Sequence, residues 1–353
     1  MTIVHVVGAR PNFPKMAPVY RALEALQVDQ TVVHTGQHFD ANMSGVFFRD
    51  LGIGDPEVDL EVRGGSHAEQ TARAMLRLET TFKNVPDPTV VVYGDVNSTL
   101  AGAIVGKKLG LGVVHVESGL RSRDMTMPEE QNRLMVDAIA DLLLCTSSDA
   151  VDNLLAEGRA SESIRLVGNT MIDSLYRVLE SSGGNKPGDT YAVGTFHRPS
   201  NVDSRESAIE VVETLRSVAS RLPLTLPLHP RSRGSLFSLG LAEIPNIRVV
   251  EPMGYREFCH LVAGASLVVT DSGGIQEETT ALGIPCLTLR ENTERPITIL
   301  QGSNRLVSSQ TIEAAIDEVL SDRWRPGGIP ELWEGAAGPR AATAILEFEE
   351  RAR

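Results

Sequence analysis

Several absences narrow the class of this 353-residue chain before any motif is read. Its three cysteines, Cys145, Cys259 and Cys286, lie far apart, two of them inside apolar strand-like runs. Neither a disulfide framework nor a zinc pattern fits them, so a reducing compartment is expected. Positive charge is scarce: 33 Lys and Arg stand against 46 Asp and Glu, a formal net charge of −13. That excludes a nucleic-acid binder, whose footprint would be basic, and leaves any phosphate to be met by local cations. No apolar run approaches the roughly 20 residues of a membrane span. Met1-Thr-Ile-Val enters a strand without a basic region or cleavage site, so a cytosolic protein with no membrane partner is expected. Aromatic residues make up only 5% against 42% hydrophobic residues, as in ordinary α/β proteins. A dehydrogenase would carry G-x-G-x-x-G after its first strand, but the chain reads Gly8-Ala-Arg-Pro-Asn-Phe13. A nicotinamide site is therefore not expected.

What is present is a repeated alternation of strand and helix. Thr2–Gly8, residues 29–36, 90–95 and 113–118 read as strands, and helices are predicted near Met16–Leu26, Asp40–Asp50, Ser66–Lys83 and Asn97–Leu109. Leu142–Thr146 and Ile164–Val167 complete a first sheet, and Gly168-Asn169 opens a helix ending near Glu180. Continuous apolar strands of this kind belong to parallel sheets buried on both faces, with ligands beyond the carboxyl ends of the strands. Ser181–Gly188, full of turn formers and empty of apolar residues, reads as a linker. The alternation then restarts with residues 191–198, 224–230, 247–252 and 267–270 as strands. Two such sheets predict two domains facing a cleft, each supplying one wall.

The residues at strand ends carry the chemistry. Arg10 and Lys15 follow the first strand, Gln37 and His38 the second, Asp95 the strand ending in Gly94, and Glu117 the run Val113–Val116. Asp95 could cap the next helix instead. Glu117 sits against valines and must be paired or placed in a site; Arg121, Arg123 and Arg133 are candidate partners for these acids. Glu129 and Glu130 follow Pro128 at a helix start, where one of them is expected to serve the helix dipole. In the second half, His197-Arg198 and His229 end strands. Ser272-Gly273-Gly274 turns from the strand Leu267–Thr270 into a helix that stops at Gly283, and Glu277 and Glu278 follow one turn in. Uncommitted first-turn N–H groups at a glycine turn suit a phosphate, and an acid beside it suits ribose hydroxyls. A side chain at Gly273 is expected to obstruct that phosphate without disturbing the fold.

Taken together, VVGARPNFPKMAP, HTGQH, VVYGDVNSTLA, HVESGLRSRDMTMPEEQNR, VGNTMIDSL, FHRPSNVD and TDSGGIQEETTALGIPCLTLRENTERP resemble the non-hydrolysing UDP-N-acetylglucosamine 2-epimerases over nearly the whole chain. The resemblance implies an α/β fold of two Rossmann-like domains, the glycosyltransferase-B fold. It divides the chain into residues 1–168 with the catalytic acids, 169–338 for UDP binding, and a helix over 339–353 that packs back on the first domain. It implies that Asp95, Glu117, Glu129 and His197 are catalytic. Arg10, Lys15, Ser272, Gly273 and Gly274 would meet the UDP phosphates, Glu278 the ribose, and the segment Met253–Phe258 the uracil. Arg295, and His229 at its strand end, would be further contacts. A homodimer acting on a UDP-sugar, with no cofactor and no metal, is implied. The chain departs from the family pattern at Pro199-Ser200-Asn201, at Ser118 in place of alanine, and at Asp40. Asp40 lies where some relatives bind an activating second UDP-sugar, so such activation is not expected. The implied chemistry is elimination of UDP to 2-acetamidoglucal and re-addition on the other face; which acid is the base is left open. Rival readings are a glycosyltransferase, a hydrolysing epimerase, a related UDP-2-acetamido sugar as substrate, and a non-catalytic sensor.

Overall fold

The computed structural model describes residues 1–36, 48, 50–180, 190–228, 230–321, 323–325 and 327–352. Gln37, His38, Asp40, most of the helix expected over Asp40–Asp50, the linker Ser181–Gly188 and His229 lie outside the described residues. Contacts group the chain into one unit of Met1–Val178 with Glu331–Arg353 and another of Leu179–Pro330.

In the first unit, strands β1 (Thr2–Val7), β2 (Gln30–His34), β3 (Val58–Asp59), β4 (Pro88–Tyr93), β5 (Val113–Ser118), β6 (Leu142–Cys145) and β7 (Ile164–Leu166) form one sheet. Its pairings are parallel and its order is β3-β2-β1-β4-β5-β6-β7. Val4, Val6, Val33, Val90, Val92 and Leu143 from the strands pack with Leu78, Phe82, Ala101 and Val136 from the covering helices in one core. The second unit repeats the plan with β8 (Ala192–Thr195), β9 (Leu224–Pro227), β10 (Ile247–Val250), β11 (Leu267–Thr270), β12 (Cys286–Leu289) and β13 (Asn304–Val307). Their order is β10-β9-β8-β11-β12-β13, again parallel. In each sheet the order reverses beside the first strand, between β1 and β4 and between β8 and β11. Such a switch point opens a crevice beyond the strand ends.

The helix after β1 begins at Asn12, four residues before the expected Met16, because Pro14 falls in its first turn, where no amide donor is needed. Pro18, inside the helix, cannot donate to the carbonyl of Pro14. The Ser174 hydroxyl takes that role at 2.7 Å. Ser174 belongs to the helix Thr170–Glu180, which this bond and the neighbouring Asp173 tie to the first unit. Asp173 accepts the N–H groups of Ala337 and Gly338 at 3.1 and 2.7 Å, capping the final helix, Ala337–Ala352. That helix packs against Asn12–Ala25. Gly338 allows the approach, since a Cβ there would lie 2.6 Å from the Pro18 carbonyl oxygen.

All three cysteines are buried and none is in a disulfide; burial pushes the Cys145 thiol up to about 12 and that of Cys286 to about 11. No helix among the described residues is long and apolar enough to cross a membrane.

The segment before the last helix is anchored by Trp333, which is 1% exposed and donates its indole N–H to the Thr146 carbonyl at 2.8 Å. Trp333→Ala should lower the stability of the first unit by about 3–5 kcal/mol. Trp333→Phe, which keeps an aromatic ring but removes the indole N–H from the Thr146 carbonyl, should cost about 1–3 kcal/mol. Urea unfolding followed by circular dichroism measures both, and an unchanged midpoint for the alanine variant would refute the anchoring role.

Candidate active site

At the switch point of the first unit, Asn12 pins the β1 loop to the end of β4. Its side-chain oxygen accepts the N–H groups of Gly8 and Ala9, each at 3.1 Å, and its amide donates to the Tyr93 carbonyl at 2.8 Å. The helix that starts there carries Lys15, 4% exposed, into an ion pair with Glu117, 3% exposed, at the end of β5. Gly94 makes room for this pair. A Cβ at that position would sit 2.9 Å from Lys15 Nζ and 3.0 Å from Glu117 Oε2, and its φ of +63° is one that glycine adopts without strain. Glu117 has a φ of +69°, and the β5–β6 register shifts between Val116 and Ser118. A left-handed non-glycine residue at a bulge is a conformation that its surroundings must enforce. The expected partners were the neighbouring arginines. Lys15 supplies this pairing instead, because helix and strand ends converge at the switch point.

Arg133 and Arg121 serve other acids, while the Arg123 side chain donates to Asn153 at 3.1 Å. Arg133 pairs with Asp95 and with Glu130. Glu130 also accepts the N–H groups of Ser122 and Arg123 at 2.9 and 2.8 Å, so it is the structural member of the glutamate pair. Its burial opposes ionisation, but those amides and Arg133 outweigh it and hold the carboxyl below its usual range. Glu129 is half-buried in the first turn of the helix Pro128–Ile139 and makes no hydrogen bond or ion pair among the described residues. Arg10 is half-buried in the β1 loop. Behind the acids, His115 points one ring nitrogen at the Gly94 carbonyl at 2.7 Å and the other at Asp137 Oδ1 at 2.6 Å. Asp137 further accepts the Gly119 N–H at 3.0 Å and pairs with Arg121 at 2.7 Å.

In the second unit, Asp271 plays the part of Asn12. Fully buried at the end of β11, it accepts the N–H groups of His197 and Arg198 at 3.0 and 2.9 Å and lies 3.3 Å from His197 Nδ1. The His197 side chain, 47% exposed, is thereby oriented with its other nitrogen unconstrained by Asp271. Ser272 begins the helix Gly273–Leu282, and no side chain caps it. The first-turn N–H groups of that helix therefore have no capping side chain from Ser272.

Cations back it. Glu294 is ringed by Arg198 at 3.2 Å, Arg290 at 2.7 Å and Arg295, and Arg295 Nε also lies 2.9 Å from Glu277 Oε2. Burial opposes the Glu294 charge, yet the three arginines hold its carboxyl well below the usual range. Three guanidinium groups against two carboxylates leave one net positive charge, and Arg290 Nη1 is buried without a hydrogen-bond partner among the described residues. Sequence reasoning found Arg295 but not Arg290 or Glu294, whose spacing signals nothing until the loop folds. A Cβ at Gly273 would meet Arg295 Nη1 at 2.4 Å and Glu294 Oε1 at 2.6 Å, so the ends of those two side chains must shift to admit a side chain there.

Glu278 is buried and accepts the Tyr255 hydroxyl at 3.0 Å; burial pushes its carboxyl up to about 7. Phe258, on the helix Tyr255–Ala263, packs on the cluster around Val193, Val262 and Ile275, while Met253 is half-buried just before that helix. Among the described residues, no cluster of His, Cys, Asp and Glu is arranged to hold a metal ion.

The family model described as UDP-N-acetylglucosamine 2-epimerase matches residues 21–346. The chain is 41% identical over 316 residues to the UDP-2,3-diacetamido-2,3-dideoxy-D-glucuronate 2-epimerase of Pseudomonas aeruginosa, covering 88% of this chain and 89% of that one. It is 38% identical over 341 residues to the UDP-N-acetylglucosamine 2-epimerase of Methanocaldococcus jannaschii, covering 92% and 93%. The solved structure of Methanocaldococcus jannaschii UDP-GlcNAc 2-epimerase in complex with UDP-GlcNAc and UDP superposes with a TM-score of 0.88 at 37% identity, over 99% of this chain and 100% of that one. On a match of this extent, carried by two Rossmann-like units of the glycosyltransferase-B fold, the chain belongs to the UDP-N-acetylglucosamine 2-epimerase family.

Proposed function

We propose that the protein interconverts a UDP-2-acetamido sugar and its C2 epimer, with UDP-GlcNAc and UDP-ManNAc as the first pair to test. The route is anti elimination and re-addition. A base takes H2, the C1–O bond breaks with its electrons going to UDP, and 2-acetamidoglucal forms. UDP then adds back to C1 as a proton is delivered to the opposite face of C2. This divides the labour between the units. Unit 2 holds UDP at the uncapped helix start of Ser272, Gly273 and Gly274, backed by Arg290 and Arg295, with Glu278 on the ribose and Met253 and Phe258 near the uracil. Unit 1 supplies the proton-transfer groups Asp95, Glu117 and Glu129, with Arg10 and Lys15 toward the diphosphate and His197 of unit 2 assisting.

The observation that carries this reading is the concentration of acids at the ends of β4 and β5 and at the helix start of Glu129. A glycosyltransferase needs cations for the leaving diphosphate but has no use for three carboxyl groups around a C2 proton. A second substrate is favoured by the relative at 41% identity, whose name specifies a diacetamido uronate sugar. Comparing kcat/KM for UDP-GlcNAc and UDP-2,3-diacetamido-2,3-dideoxy-glucuronate decides between them.

The chemistry predicts that product formed in D2O carries deuterium at C2, read by NMR. Asp95→Asn, Glu117→Gln and Glu129→Gln should each lower epimerisation, and a variant lacking the returning proton should release 2-acetamidoglucal and UDP. Product with protium retained at C2 would rule elimination out, and UDP release without labelling would point to hydrolysis.

Nucleotide binding should depend on pH through Glu278. Ribose hydroxyls donate to a carboxylate, so binding favours the ionised form of a group that titrates near 7 in the free protein. Affinity for UDP-GlcNAc, which has no group titrating there, should therefore rise up to about tenfold from about pH 6 to about pH 8. Calorimetry on Glu278→Gln should show that rise abolished; the same rise in the variant would take Glu278 off the ribose.

A further inference from the structure

We propose that His115 is a positioning residue that, through Gly94 and Asp137, clamps together the two strand ends carrying Asp95 and Glu117. This rests on the epimerase reading above. His115 is fully buried on β5, two residues before Glu117, in a strand of valines where an aliphatic side chain would fill the space at no polar cost. It has no route to a substrate, so its chemistry is spent inside the protein.

Both ring nitrogens face acceptors. One donates to the Gly94 carbonyl at 2.7 Å, the peptide immediately before Asp95. The other lies 2.6 Å from Asp137 Oδ1. A neutral imidazole has a single N–H, so satisfying both acceptors requires the doubly protonated ring or a proton shared with Asp137. Asp137 passes the constraint on. Its second oxygen accepts the Gly119 N–H at 3.0 Å and is met by Arg121 at 2.7 Å, and Arg121 is itself held bidentately by Glu157 at 2.8 and 2.6 Å. Burial opposes the Asp137 charge, but His115 and Arg121 outweigh it and hold the carboxyl below its usual range.

Glu117 lies between these two fixed points. It occupies the left-handed region at the β5 bulge, and Gly119 follows at a φ of +81°. Without the clamp, nothing in the local sequence favours a positive φ for a glutamate, and relaxing it would swing the carboxyl away from Lys15. The clamp also fixes Gly94, whose missing side chain is the space in which Lys15 and Glu117 meet.

The test is a double-mutant cycle on the full chain. His115→Gln should fold, bind UDP within about threefold of wild type by calorimetry, and lower kcat for C2 exchange in D2O by about tenfold or more with little change in KM. If His115 acts through Glu117, adding Glu117→Gln to that variant should cost much less than it costs in wild type. Full additivity, or an unchanged kcat in a folded variant, would overturn the proposal. Should His115→Gln fail to fold, Asp137→Asn carries the same prediction with its shape kept. Nitrogen-15 NMR of the wild-type ring gives an independent reading, with a proton on both nitrogens or one shared with Asp137 expected. A neutral ring with one bare nitrogen would sink the clamp. Failure of wild-type protein to exchange C2 would remove the epimerase reading instead, leaving the NMR result to stand alone.

Discussion

A parallel sheet covered on both faces has nowhere to put a polar group except at its ends, and that constraint organises both units. Strand interiors here are mostly valine, isoleucine and leucine, so acids, cations and amide donors collect where β1, β4 and β5, or β8 and β11, run out. His5 and His115 inside the first sheet are exceptions, each matched to its own polar partners. His5 is fully buried and reaches the Tyr93 hydroxyl at 2.6 Å and Gln30 at 2.8 Å, partners that suit a neutral ring, and burial lowers its pKa to about 4. His115 meets a carbonyl and a carboxylate and must donate to both. Two identical side chains, on strands separated by β4, are thus spent on different partners because of what stands opposite them.

Each switch point is pinned by one buried side chain that accepts two successive backbone N–H groups. Asn12 holds Gly8 and Ala9 from the helix that follows β1, whereas Asp271 holds His197 and Arg198 from the end of β11. The carboxylate in the second unit adds what an amide cannot, a negative charge beside His197. In both places the loop bearing the functional groups is fixed through its main-chain N–H groups.

Much of this was legible along the chain. Alternating apolar runs and turn formers gave two parallel-sheet units, and Ser272-Gly273-Gly274 marked the turn from β11 into a helix because its meaning is local. Glu117 was recognisable as a carboxyl that needed a partner, since valines surround it. Its partner was not recognisable, because Lys15 lies about a hundred residues away and meets it only through the sheet order. The same holds for the ring of Arg198, Arg290 and Arg295 around Glu294, and for the crowding beside Gly273. The helix expected near Met16 starts at Asn12, since Pro14 is acceptable in a first turn.

The return of the chain after Pro330 has a consequence for biosynthesis. Residues 331–352 supply Trp333 for the Thr146 carbonyl and the helix that lies over Pro18, yet they are translated after all of unit 2. At about 5–20 residues per second, the ribosome spends roughly 8–30 s between completing the first sheet and delivering the piece that seals it. During that interval the face around Asn12–Ala25 is uncovered in the nascent polypeptide. The first unit to be synthesised is therefore completed only after the second, and loss of residues 331–352 would spoil the earlier-made half.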